Sequence, residues 1–202
     1  MNFTIDDIKK LNRVSRLNLI NSITGYKPAN LIGTQSKKGD LNLAIFSSLV
    51  HLGSKPPLFG LVTRPKSIPR HTYSNIIDTN YYTINHISKN MIERAHMTSA
   101  KFNKEDSEFK KCNIEEEYID DFIAPFVKES EVKIGMKFIE EIHIKSNNTI
   151  LIVGEVVKII VKEEYLCKDG SINFEKMNTV CISGLDTYYE TKKLAKYPYA
   201  KR

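Results

Sequence analysis

The segment Thr149–Val161, TILIVGEVVKIIV, is apolar at nearly every position. Such a run suits a central strand covered on both faces. A barrel wall on one side and a second subunit on the other would cover it. Gly154 inside the run marks a close approach by another backbone or a bend in the strand. Just before it, Met136–Lys145 sets apolar residues at 136, 138, 142 and 144, with Lys137, Glu141, His143 and Lys145 between them. That is strand periodicity with one face outward, and Ile139-Glu140 interrupts it as a bulge would. Ser146-Asn147-Asn148 supplies the turn between the two strands.

A second strand-rich region runs from Asn30 to Thr72. Leu31–Thr34 and Leu41–Phe46 are apolar runs, and Gln35–Asp40 between them has the polar and glycine content of a hairpin loop. The second run ends in Ser47-Ser48, and a third strand, Phe59–Thr63, closes on Thr63-Arg64-Pro65-Lys66-Ser67. Hydroxyls and free backbone N–H groups beside Arg and Lys are what a phosphate dianion needs. The same residue types are common at ordinary turns, so composition leaves both readings open.

The remaining chain punctuates this β framework. Thr4 caps an expected N-terminal helix whose stripe Ile8, Leu11, Val14 and Leu17 would pack on the body. Asn21–Asn30 is a loop by its Gly25 and Pro28, with Tyr26 either a ring cover or a plain surface tyrosine. Thr72 opens a helical turn, Tyr81–Ile87 is a strand, and Ser88–Lys101 is a helix. The acidic stretch from 103 to 131 is an insertion with a short helix around Ser107–Cys112 and a solvated loop, given no chemistry. Asp186–Lys196 is expected to be a helix, followed by an ordered basic tail.

The net charge of +6 is uneven, because residues 105–121 hold eight acids against Lys110 and Lys111. The basic excess elsewhere would draw a phosphate-bearing small molecule or a polynucleotide alike. Basic and aromatic residues interleave poorly outside the C-terminal tail, which ranks a single-stranded nucleic-acid-binding barrel low. Cys112, Cys167 and Cys181 are widely spaced, against a disulfide framework or a zinc site. No apolar run is long enough for a bilayer, and the acidic N-terminus lacks a signal-peptide pattern, so the expected location is the cytoplasm. The chain lacks Gly-x-Gly-x-x-Gly, a Walker loop and a Gly-x-Ser-x-Gly elbow.

The order Gly33-Thr34, Gly39, Asn42, Ala44, Ser47-Ser48, Pro56-Pro57, Thr63-Arg64 and Thr72 resembles the flavin reductase-like FMN-binding family. The similarity continues through Tyr81–Asn85, Gly154-Glu155-Val156 and Leu194–Lys201. The resemblance implies a mainly β Greek-key split barrel with peripheral helices, one domain over residues 1–202, and a homodimer. It implies FMN, with NADH or NADPH as co-substrate, and an enzyme in which flavin N5 carries the chemistry and no side chain serves as acid or base. Thr34, Asn42, Ala44, Ser47 and Ser48 would line the flavin ring and ribityl chain; Thr63, Arg64 and Lys66 would meet the ribityl and phosphate. Thr72 would stand by the phosphate at a helix start, where free N–H groups favour anions, and Asn85 is a further candidate. Several reductases of this fold carry a histidine where this chain has Asn147-Asn148-Thr149. That departure keeps open an FMN-binding electron carrier without nicotinamide activity.

Overall fold

The computed structural model describes residues 1–65, 69–103 and 105–200. Its elements are α1 Ile5–Lys10, α2 Arg13–Ser22, β1 Lys27–Pro28, β2 Asn30–Gln35, β3 Leu41–Phe46, β4 Leu49–Ser54, β5 Pro57–Thr63 and α3 His71–Thr79. There follow β6 Tyr81–His86, α4 Ile92–Met97, α5 Glu108–Lys111, β7 Glu116–Glu117, β8 Phe126–Val127, β9 Val132–Ile144, β10 Thr149–Val161, β11 Val180–Ser183 and β12 Thr187–Glu190.

Seven strands form one antiparallel sheet in the order β3-β2-β6-β9-β10-β5-β4. Its two edge strands, β3 and β4, are consecutive in the chain and joined by Ser47-Ser48 alone. Laid flat, seven strands would hold those edges roughly 29 Å apart, whereas three Cα steps reach at most about 11 Å. The sheet must therefore curl until its edges meet. Ser48 extends the β4–β5 pairing into the connection, donating its hydroxyl to Val62 O at 2.7 Å while its carbonyl accepts Val62 N–H at 3.2 Å.

Curling gives an inner face and an outer one. Ile32, Leu61, Ile76, Tyr82, Ile84, Ile134, Ile150 and Ile152 pack into one core inside the barrel. On the outer face, Leu31 and Leu43 join Met91, Phe109 and Ile182 in a second core under α4, α5 and β11. The helices and the three-stranded sheet β1-β11-β12 thus cover only the β3-β2-β6 half. Over the other half, Val50, Leu52, Ile142 and Ile144 stand exposed.

The strand expectations hold closely at β3 and β10, which run from Leu41 to Phe46 and from Thr149 to Val161. A register break beside Ile139 is the expected bulge. Gly154 is accounted for differently: a Cβ there would lie 2.2 Å from Tyr82 Oη, so a side chain inside the barrel demands the glycine. The N-terminal stripe does not form one packed helix. Leu11 ends α1, Asn12 caps α2, and neither helix buries a residue. The expected helix over 186–196 is instead β12, turned back on β11 through Gly184 at φ +65°, with residues 191–200 irregular and largely exposed. The helix expected over 88–101 shrinks to a 3-10 turn and α4.

Candidate functional site

Asn42 on the edge strand β3 stands opposite Thr34 of β2, on the inner face of the sheet. The helix α3 lays Thr72 and Asn75 over the same end of the barrel. Asn42 Nδ2 donates to Thr34 Oγ1 at 3.3 Å and to Thr72 Oγ1 at 2.9 Å, and Asn75 Nδ2 donates to Thr34 Oγ1 at 3.1 Å. All four residues are buried.

A count of donors and acceptors shows what this cluster can take. An amide NH2 has two protons to give, and a threonine hydroxyl both accepts and gives one. With the amides oriented as they stand, Asn42 spends both protons inside the cluster and Thr34 accepts twice. The hydroxyl protons of Thr34 and Thr72 find no acceptor among the described residues. Asn42 Oδ1 makes no hydrogen bond among them either. Buried donors without acceptors are costly, so the cluster suits a ligand that brings oxygen acceptors.

The start of α3 adds positive character. Its N-cap, Arg70, makes no side-chain capping bond, and no acid lies in the first turn. The Nε of Arg70 is buried and without a hydrogen-bond partner. Helix N-termini favour anions through unpaired N–H groups and the helix dipole. Thr72 is the second residue of the helix rather than its cap, so its hydroxyl is not consumed by capping.

The other expected residues divide. Ala44 follows Asn42 on the same face, half-buried and opposite Ile32. Ser47 and Ser48 occupy the seam, but Ser48's hydroxyl is committed to Val62 O. Thr63 is buried at the end of β5, and Arg64 beyond it is exposed. Lys66 lies outside the described residues. Asn85 does not join the cluster. It pairs with Leu31 in the register, on the opposite face of the sheet, and its amide is used there. Its Nδ2 donates to Leu31 O at 3.1 Å and Thr83 Oγ1 at 2.9 Å, and its Oδ1 accepts Val127 N–H at 2.9 Å. Asn85 is a structural tie.

Three residues of this region were not singled out from the sequence. Asn75 had a signal, since three residues after Thr72 on a helix shares its face. Arg70 had none beyond its charge. Glu108 was hidden in the acidic run expected to be solvated. It is in fact buried, its Oε2 accepting Leu43 N–H at 3.0 Å, and burial raises its pKa above the usual carboxylate value against the effects of that bond and of nearby His71. On β9, His143 Nε2 lies 2.8 Å from Glu141, which also accepts at 2.6 Å the hydroxyl of Tyr73, the neighbour of Thr72 on α3. Among the described residues no three His, Cys, Asp or Glu side chains gather as metal ligands.

The structure is an antiparallel barrel split at one seam, with a buried Asn/Thr cluster on the seam strand beside the start of α3. The model of the flavin reductase like domain matches residues 26–172, and the chain belongs to that family. Its structure is similar to that of a protein from Shewanella frigidimarina NCIMB 400 whose split barrel domain is described as that of a candidate flavin reductase. The two are 46% identical with a TM-score of 0.96, over 99% of this chain and 100% of the other. At 18% identity, nitrilotriacetate monooxygenase component B from Bacillus cereus shares the fold with a TM-score of 0.85, over 98% of each chain. Flavoredoxin of Desulfovibrio vulgaris (Miyazaki F) does so at 21% identity and a TM-score of 0.76, over 87% of this chain and 92% of that one. The split-barrel expectation is met.

Proposed function

We propose that this chain binds FMN and works in the cytoplasm as an oxidoreductase of flavin reductase type, drawing hydride from NADH or NADPH. The observation that carries the reading is the pair of unspent hydroxyl protons on Thr34 and Thr72, beside the start of α3 and Arg70. FMN brings what they lack: carbonyl and ribityl oxygens and a phosphate dianion. Asn42 Oδ1 offers the one acceptor that a ring N–H would need. Flavin, when bound, would supply the redox chemistry at N5, and hydride transfer to it needs no side chain as acid or base. The protein's part is to hold the ring and phosphate in one orientation and to leave a face open.

The homodimer belongs to the same reading. Val50, Leu52, Ile142 and Ile144 stand exposed on one outer face of β4, β5, β9 and β10, and a second copy would cover them. An apolar sheet face of this kind is a liability in a monomer.

A second reading keeps FMN without nicotinamide activity. The turn at Asn147 is closed on itself, Oδ1 accepting Thr149 N–H at 3.1 Å and its hydroxyl at 2.7 Å, so the position where several reductases of the fold carry a histidine holds none. Likeness to a flavoredoxin suits it. Mixing protein, FMN and NADH or NADPH without oxygen separates the two. Flavin bleaching well above protein-free controls supports the reductase; retained but unbleached FMN supports the carrier.

A further inference from the structure

The edge strand β3 presents Asn42 and Ala44 to the site, yet it has a strand neighbour on one side only. Leu43 lies between those two residues, and its N–H points away from β2, where no strand can accept it. A buried backbone donor must be paired. The partner is Glu108, the first residue of α5, whose Oε2 stands 3.0 Å from Leu43 N. Glu108 is 7% exposed and Leu43 is fully buried, so water cannot replace the carboxylate. Burial raises the pKa of this carboxylate, while nearby His71, the first residue of α3 and the neighbour of Thr72, acts to lower it. One acid therefore holds the backbone of the residue beside Asn42.

We propose that Glu108 is a positioning residue for the flavin site: its carboxylate latches the open edge of β3 and sets the register of Asn42 against Thr72. The inference rests on the flavin reading only for its binding readout; the latch itself is a statement about this chain's backbone. Asn42 reaches Thr72 at 2.9 Å and Thr34 at 3.3 Å, and hydrogen bonds weaken steeply when a donor is displaced or misaligned. An edge strand freed at Leu43 would displace both.

Two variants of nearly native volume separate the acceptor from mere filling. Glu108→Gln keeps an oxygen for Leu43 N–H, and Glu108→Met does not. Two readouts apply: hydrogen exchange at the Leu43 amide, and FMN affinity by fluorescence titration. E108Q is expected to keep Leu43 protected and to bind FMN within about threefold of wild type, whereas E108M exposes that amide and weakens FMN at least about tenfold, the range for an orphaned buried donor. Wild-type protection and affinity in E108M would overturn the proposal. If E108M does not fold, E108Q decides alone, since loss of Leu43 protection there overturns it and retention supports it. Should wild type fail to bind FMN, the flavin reading falls, while the exchange data still judge the latch.

Discussion

Asn42 Nδ2 lies 2.9 Å from Thr72 Oγ1, a bond that spans 30 residues of sequence and fastens an edge strand to the helix over the barrel mouth. It makes α3 and β3 a single unit. Asn42→Ala removes donors to both Thr34 and Thr72, and it is expected to cost about 1–3 kcal/mol of stability. FMN affinity should fall with it. Urea denaturation and a flavin titration on the same preparation check the two effects.

Thr72→Val is the gentler probe, because it keeps the shape and removes only the hydroxyl. Asn42 keeps its bond to Thr34, so the loss of stability should stay near 1 kcal/mol, the net value of a typical hydrogen bond. FMN binding should weaken by about tenfold if the spare proton meets a flavin oxygen. A calorimetric titration beside a thermal melt would show the split.

Tyr82 and Gly154 form a second test, inside the barrel. Tyr82 Oη is buried, unpaired and 2.2 Å from where a Gly154 side chain would begin. Burial pushes the Tyr82 pKa well up. Gly154→Ala should cost about 1–3 kcal/mol by overpacking. Tyr82→Phe alone should be neutral or stabilising, since it removes an unsatisfied buried hydroxyl. The double variant should recover much of the loss, which a denaturation cycle measures.

His86 gives the acid dependence a sign. The residue is half-buried, its ring stacked on Phe174 at 5.6 Å between centroids, and its Nδ1 is buried without a partner. Burial lowers its pKa from 6.5 to about 4. Between those values the unfolded chain binds a proton that the folded chain refuses, so stability falls as pH drops from about 6.5 to 4. The full loss would be about 3 kcal/mol. Glu108 acts in the opposite sense, since a raised carboxylate pKa favours the fold as pH falls through its range. His86→Phe should flatten the acid slope in urea midpoints taken from pH 7 to 4.5.

The exposed half of the barrel predicts assembly. Ile142 is 45% exposed on the outer face, opposite Leu151. Ile142→Glu would bury a charge in the proposed dimer face and should give a monomer by light scattering. Its barrel should remain folded, because the residue lies outside the inner core.

Period-two patterning made β9 legible from Met136 on, even to the bulge at Ile139, because one buried face imposes alternation, and β10 was legible as an unbroken apolar run. The strand β4 was not legible. Val50 and Leu52 alternate toward solvent or a partner, and Gly53 sits at a register break. The C-terminal segment misled for another reason: the helix-favouring Glu190–Lys196 hid the β-favouring Thr187-Tyr188-Tyr189, which Gly184 turns back onto β11, and Tyr188's hydroxyl meets His96 Nδ1 at 3.0 Å. In the site, Thr34, Asn42 and Thr72 were named from their order along the chain. Asn85 was named with them because linear sequence does not tell the two faces of a curled sheet apart. Glu108 was passed over because only tertiary packing distinguishes a buried acid from its solvated neighbours.

The central claim is that the Thr34–Asn42–Thr72 cluster and the start of α3 hold FMN by its oxygens and its phosphate. Titrating purified protein with FMN and, separately, with riboflavin tests it most directly. Saturable FMN binding, at least about tenfold tighter than riboflavin as expected for charge-assisted phosphate contacts, is the predicted result. No binding of either, or equal affinity for both, would contradict it.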